Sequence, residues 1–110
     1  MQSTLKREVH RLHAEICQAL ADPTRILILY ALQEGPCNVS ELMEILEMSQ
    51  PAISRHLKVL RDRRMVIAVR DGANVYYHLA DKRVIRALDL LRDMLAQTIE
   101  THQALIQRTI

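Results

Sequence analysis

Residues 38–64 read NVSELMEILEMSQPAISRHLKVLRDRR, and this stretch decides the fold. Asn38 followed three residues later by Glu41 has the form of a capping box, which predicts a short third helix. A brief turn follows. Ser49 then caps a fourth helix, which tolerates Pro51 in its first turn. Two short helices joined by so tight a turn are typical of a helix-turn-helix.

The apolar residues of this stretch keep helical spacing, so each of the two helices has one inward face. The predicted core residues are Val39, Leu42 and Leu46 on the third helix and Ile53, Leu57 and Leu60 on the fourth. The other face of the fourth helix is polar and carries Gln50, Ser54, Arg55 and Lys58. These side chains are donors that can reach base edges and phosphates. His56 lies nearer the core side, and we interpret it as a structural hydrogen-bonding residue rather than a base contact.

The pattern changes after Arg64. The β-branched run MVIAVR at 65–70 and the run VYYHL at 75–79 flank turn residues that include Gly72, which predicts a β-hairpin. A helix-turn-helix followed by a hairpin is a winged helix-turn-helix, in which the helix after the turn enters the major groove.

Upstream, apolar residues spaced by four and three predict an amphipathic first helix over 4–20. Asp22 followed by Pro23 predicts the start of a second helix, whose inward residues would be Ile26, Leu29 and Leu32 and which Gly35-Pro36 ends.

Downstream, residues 81–108 contain no proline or glycine, and they carry a near-heptad stripe: Val84, Leu88, Leu91, Leu95, Ile99, His102 and Ile106. So long a helix cannot bury its stripe on a small domain. We therefore expect a mostly α fold of five helices and a two-stranded wing, in one domain over 1–110, that forms a homodimer through its first and last helices.

The composition of the chain limits the classes of function that it can have. The chain has 110 residues, a net charge of +2, three Tyr and no Phe or Trp, so an aromatic platform for single-stranded nucleic acid is not expected. Basic residues nevertheless concentrate between 55 and 71, where only two aspartates oppose six Arg and Lys. Two cysteines without a signal peptide, and no apolar run near 18 residues, predict a cytoplasmic protein that does not enter a membrane.

Three quoted segments carry a family resemblance: ALADPTRILILYALQEG at 19–35, VSELMEILEMSQPAISRHLKVLRDRRMV at 39–66 and VRDGANVYYHL at 69–79. Across roughly residues 12–81 the chain resembles the ArsR/SmtB family of bacterial and archaeal repressors. The segment SQPAISRHLKVL at 49–60 is specific to the recognition helix of that family. The resemblance implies a winged-helix homodimer that binds an imperfect palindrome in double-stranded operator DNA until an inducer lowers its affinity.

The resemblance also implies particular DNA contacts. They are Ser49, Gln50, Ser54, Arg55 and Lys58 on the recognition helix, with Arg70 and Asn74 near the wing tip. Arg55 is the expected bidentate guanine contact.

Both familiar sensor sites of the family are missing here. Many members bind metal or arsenic through cysteines in the third helix, where this chain has Asn38 and Ser40. A second family site uses Asp and His residues on the last helix, where this chain keeps Asp81 but has Arg83 and Met94. Arginine cannot ligate a metal ion, so that zinc site is not expected either.

Three other residues remain candidates for a sensor site. On a regular helix His10, His13 and Cys17 would lie within about 60° of one another. They could hold a thiophilic metal or metalloid ion if a fourth ligand approached, with Cys37 and His102 as conceivable donors. Alternatively, Cys17 is a small core residue beside two solvent-edge histidines. A third interpretation gives Cys17 and Cys37 a redox or persulfide role.

An enzyme is not expected, because the chain has no glycine-rich phosphate loop, nucleophile elbow or paired-carboxylate cleft. The alternative function is a winged-helix protein-interaction adaptor or anti-repressor without an inducer site. Salt-dependent binding to a specific palindrome separates the two, because an adaptor lacks it.

Overall fold

The computed structural model describes residues 1–109, in which a two-stranded wing lies between the fourth and fifth of five helices. The helices are α1 over 3–20, α2 over Pro23–Gln33, α3 over Val39–Leu46, α4 over Gln50–Asp62 and α5 over Arg83–Thr109. The strands are β1 over Val66–Asp71 and β2 over Asn74–Leu79. The predicted winged helix-turn-helix is confirmed.

The predicted caps also form. The Asp22 carboxylate accepts the backbone N–H groups of Thr24 and Arg25 at 2.8 and 3.2 Å. Asn38 and Glu41 form the expected reciprocal capping box, with distances of 2.8 and 3.0 Å. These local bonds satisfy helix-end donors that would otherwise lack partners.

The wing is an antiparallel pair in which Val66 lies opposite Leu79. Gly72 turns the chain with a φ of 63°, a left-handed value that glycine adopts without steric cost. Cys37 and Tyr77 exchange backbone hydrogen bonds at 3.2 and 2.7 Å, which attach the loop before α3 to the second strand.

The core lies where α2, α3 and α4 meet. Its fully buried side chains are Ile28, Leu29, Leu42, Ile53, Leu57 and Leu60. The predicted inward faces are therefore largely correct, although Ile26, Val39 and Leu46 are only half-buried. On α2, Ile28 takes the deeper position.

The first helix is not the regular α-helix that its spacing predicts. It consists of an α-helical segment Ser3–Leu12, a π-helical turn His13–Cys17 and a last α-helical turn Gln18–Leu20. A π-helical turn is wound more loosely than an α-helix, so the 100° per residue used to place side chains does not hold from His13 onward.

The apolar stripe of α1 is uncovered in the isolated chain. Leu5, Val9, Leu12 and Ile16 expose between 39% and 49% of their surface. No residue of Ser3–Leu12 or His13–Cys17 is buried, and α1 enters the core only at Ala19.

The stripe of α5 divides into two parts. Ile85 and Leu88 are buried against the domain, so Leu88 belongs to the core of its own chain rather than to a dimer contact. Beyond them the stripe is exposed at Leu91, Leu95, Ile99, His102 and Ile106. The radius of gyration is 17.5 Å, well above the value of about 13 Å for a compact domain of this length, because α5 projects from the core.

A polar cluster fixes the base of α5 to α2. The Tyr30 hydroxyl donates to the Asp89 carboxylate at 2.6 Å, and the Arg92 guanidinium lies 5.4 Å from the centre of the Tyr30 ring. Burial, with the hydrogen bond to Asp89, raises the pKa of Tyr30, so the hydroxyl stays protonated and keeps donating at neutral pH.

Candidate nucleic-acid interface

The polar face of α4 is presented to solvent by the burial of its apolar face. Ser49 Oγ accepts the backbone N–H of Ala52 at 3.4 Å, so part of its hydrogen-bonding capacity caps the helix. The next residue, Gln50, donates through Nε2 to the Oγ of Ser54, one helical turn further on, at 2.9 Å. Gln50 is exposed and Ser54 is half-buried, so Gln50 reaches outward while Ser54 supports it.

The two cations of this face differ in their surroundings. Arg55 is exposed and forms no ion pair with any carboxylate in the described part of the chain. Lys58 Nζ lies 2.9 Å from Asp62 Oδ2, an exposed pair one helical turn apart. Arg55 is therefore available to a base without prior rearrangement, whereas Lys58 must leave or share Asp62 to bind a phosphate.

The wing adds a basic groove beside the helix. Arg61, Arg64 and Arg70 line a surface depression of about 670 Å³ whose apolar lining includes Val66 and Ala68. No ion pair between these arginines and a carboxylate occurs within residues 1–109, so an anion can approach without competition. Arg61 and Arg64 belong to the basic run of the sequence but are not among the predicted DNA contacts, because only the fold of the wing brings them next to Arg70.

Asn74 begins β2 opposite Asp71 and is exposed at the tip of the wing. Its exposure leaves the side chain free to reach a backbone or groove, but Asp71 brings a negative charge to the same tip.

His56 turns away from this face, as expected, but its hydrogen bond is not found. Only 11% of its side chain is exposed, and Nδ1 lies 4.0 Å from Asp22 Oδ1 without a hydrogen-bond partner in the part of the chain described. Burial acts to raise the pKa of Asp22, but the backbone N–H of Arg25, the nearby His56 and the N–H of Thr24 together lower it. His56 therefore packs beside the cap of α2 and does not belong to the exposed polar face of α4.

The residues at the two family sensor positions do not fit a metal ion. On α5, the Arg83 guanidinium donates to both oxygens of Asp81, with the shortest contact at 2.6 Å. These side-chain hydrogen bonds lower the pKa of Asp81 to about 2. Asp81, which precedes α5, is thus paired with a cation from the first residue of that helix.

The alternative sensor set is not assembled within one chain. Residues 1–109 contain no group of three or more His, Cys, Asp and Glu side chains placed to hold a metal ion, so His10, His13 and Cys17 do not form one together. The π-helical turn that contains His13 and Cys17 explains why the regular-helix spacing fails. His13 Nε2 instead lies 3.4 Å from Gln18 Nε2.

The two thiols have opposite environments. Cys17 is exposed in the single chain, so it is not a residue of its own domain core. Cys37 is buried, and its Sγ donates to the Gly35 carbonyl at 3.6 Å. Burial, with a smaller contribution from Glu41, raises the pKa of Cys37, which keeps the thiol protonated and poorly nucleophilic.

An exposed helix of donors after a tight turn, flanked by a basic wing, defines a winged helix-turn-helix DNA-binding regulator. The family model for the bacterial regulatory protein, arsR family, matches residues 22–68. Together with the relatives described next, this match shows that the chain belongs to this family, whose members are transcriptional regulators rather than enzymes.

Relatives of the chain are also named as transcriptional regulators. The chain is 42% identical over 76 residues to the transcriptional regulator NmtR of Mycobacterium tuberculosis, a match that covers 69% of this chain and 63% of NmtR. It is 41% identical over 91 residues to the regulator CmtR of the same organism, covering 82% of this chain and 75% of CmtR. The solved structure of CmtR is described as a cadmium metal-sensor, with a TM-score of 0.61 and 42% identity over 71% of this chain and 81% of that one.

A further solved structure extends the likeness to the whole fold. The homodimeric winged helix-turn-helix DNA-binding domain of Mb0332 from Mycobacterium bovis has a TM-score of 0.75 and is 25% identical, covering 91% of this chain and 92% of that one. Within residues 1–109, none of the helices combines the length and apolarity needed to cross a bilayer.

Proposed function

We propose that this protein is a homodimeric repressor that binds a palindromic operator in double-stranded DNA, with α4 of each subunit in a major groove. The observation that carries the proposal is the pair of uncovered apolar stripes on α1 and α5. Each exposes four or more large apolar side chains on the part of its helix that lies outside the domain core. Contiguous apolar surface of this kind marks an interface.

A second copy of the chain is the occupant that fits these stripes. Both lie on long helices, over 3–20 and Arg83–Thr109, and each has the length to pair with a helix of a second copy. A twofold axis through them would present two α4 helices to one face of DNA, about 34–36 Å apart. The homodimeric state of the Mb0332 domain supports this arrangement.

The individual contacts follow from the exposed faces. Arg55 reads a base, while Lys58, Arg61 and Arg70 hold phosphates, with Ser49, Gln50 and Ser54 completing the helix contacts and Asn74 the wing contact. A dimer bound in this way would cover the DNA between its half-sites and exclude competing proteins, which is the basis of repression.

Selection from a randomised duplex library tests the function. The dimer is expected to enrich an inverted repeat, and the logarithm of its affinity for that duplex should fall linearly with the logarithm of salt concentration. Recovery of no repeat, with binding that does not depend on salt, would favour the adaptor or anti-repressor. The enriched repeat is called the operator below.

We further propose that any chemical response of the regulator depends on Cys17. It is the exposed thiol, and it lies on the helix assigned to the dimer. An ion could be bound by Cys17 together with either His10 or His13. Its remaining ligands would come from outside this set of three residues. A preference of only about 1–3 kcal/mol for the DNA-free state would lower affinity roughly 5- to 150-fold.

The serine variants of the two cysteines form the test. Cys17→Ser is expected to keep operator affinity but to lose release by Zn²⁺, Cd²⁺ or a persulfide donor, measured by fluorescence anisotropy. Cys37→Ser is the matched control and should keep most of the response, because its thiol is buried. A normal response in Cys17→Ser, or no release of the wild type by any of these agents, would overturn the assignment.

A further inference from the structure

Arg63 lies in a basic run, but its guanidinium is turned away from the basic groove. Arg61 and Arg64 line the groove beside the wing, whereas Arg63 Nη1 donates to the backbone carbonyl of Ala14 in α1. Ala14 belongs to the π-helical turn His13–Cys17. A charged donor on a carbonyl is among the stronger hydrogen bonds in proteins.

Arg63 is also the residue that ends α4. It occupies the C-cap position with a φ of −92°, and its backbone N–H donates to the Val59 carbonyl at 3.0 Å. Its side chain therefore connects the recognition helix directly to α1, without an intervening loop.

A second arginine holds α1 from another element. Arg25 of α2 donates through Nε to the Ala19 carbonyl at 2.7 Å and through Nη2 to the Gln18 carbonyl at 3.0 Å. Together with the burial of Ala19, these bonds fix the end of α1. The contact of Arg63 at Ala14 is a second attachment, about one turn before the bonds of Arg25, and two separate attachments restrict the direction of a helix more than one does.

We infer that Arg63 is a positioning residue that sets the angle between the recognition helix and the dimer helix α1. This inference rests on the proposed homodimer. In that dimer the direction of α1 determines the separation of the two α4 helices, so a small change in angle becomes a change in preferred half-site spacing.

The test compares Arg63→Met with Arg61→Met, which removes a neighbouring cation from the basic groove. Arg63→Met is expected to lose roughly 10-fold in operator affinity, the scale of one charged hydrogen bond, while its salt slope on random duplex stays at the wild-type value. Its preference for the operator over versions with one base pair inserted or deleted between half-sites should largely disappear. Arg61→Met should lower the salt slope by about one unit and keep the spacing preference.

A distance measurement reports the angle without DNA. Spin labels on Lys58→Cys, in a Cys17→Ser background, should give one narrow distance between subunits, and Arg63→Met should broaden it. Arg63→Lys serves as a second variant, since it keeps the charge and the long stem, and it is expected to retain an intermediate spacing preference.

Two results would overturn the inference in a folded, dimeric variant. The first is a salt slope reduced by about one unit, which would make Arg63 a phosphate contact. The second is an unchanged spacing preference with an unchanged distance distribution. Failure of the proposed function is distinguishable, because it would be seen in the wild type as a monomer or as binding without a palindrome.

Discussion

Replacing Leu91 and Leu95 together by aspartate is expected to convert the protein to a folded monomer and to reduce operator affinity roughly 10²- to 10⁴-fold, the contribution of the second linked half-site. Both leucines are more than half exposed in the single chain, at 55% and 61%, so the charges are tolerated when the chain is alone. In the dimer the same charges would be buried without partners. Sedimentation velocity at micromolar concentration measures the change, with circular dichroism as the check on folding.

The control variants separate dimerisation from folding. Gln97→Asp with Ala104→Asp places two equal charges on the opposite, exposed side of α5, and it should remain a dimer with wild-type affinity. Leu88→Asp is unsuitable, because Leu88 is only 5% exposed and its loss would unfold the domain. Tight operator binding by a proven Leu91/Leu95 monomer would exclude the dimer as the functional unit.

Arg55→Ala is expected to weaken operator binding by about 1–3 kcal/mol with little effect on random duplex, because a bidentate guanine contact exists only on the specific sequence. Lys58→Ala should weaken both and flatten the salt slope by about one unit or less, since a phosphate contact carries no sequence information. Anisotropy titrations of both variants on both duplexes, at several salt concentrations, make the comparison.

Breaking the ion pair between Lys58 and Asp62 provides a control in which DNA affinity is expected to rise rather than fall. Asp62→Asn removes the carboxylate 2.9 Å from Lys58 Nζ, so it should strengthen binding to random duplex and operator alike. If Arg55→Ala instead lowered both affinities equally, Arg55 would be a phosphate contact and the recognition helix would have been assigned wrongly.

Much of the candidate interface could be predicted from local patterns. The cap at Ser49 and the spacing of Ile53, Leu57 and Leu60 orient α4, so its polar face follows directly. The roles of the arginines at the end of α4 could not be predicted in the same way. Arg61, Arg63 and Arg64 look equivalent in the sequence, and the direction of each side chain depends on the packing of α1 and the wing around the end of α4.

The arrangement of the candidate sensor residues also could not be predicted from local patterns. A regular helix would group His10, His13 and Cys17, but the π-helical turn changes the angle per residue from His13 onward. Such a turn leaves no mark in hydrophobic spacing, because the stripe from Leu5 to Ile16 stays continuous through it.

The sequence by itself determined the winged helix-turn-helix, the identity of the recognition helix and the excess of apolar surface on the first and last helices. These properties follow from caps, turns and periodicity, which act between residues close in the chain. Tertiary structure alone decided which part of the last stripe enters the core, where Leu88 is buried and Leu91 is not, and which arginine leaves the basic run to hold α1. These outcomes depend on contacts between residues such as Arg63 and Ala14, far apart in sequence, whose approach is set by the packing of whole helices rather than by local pattern.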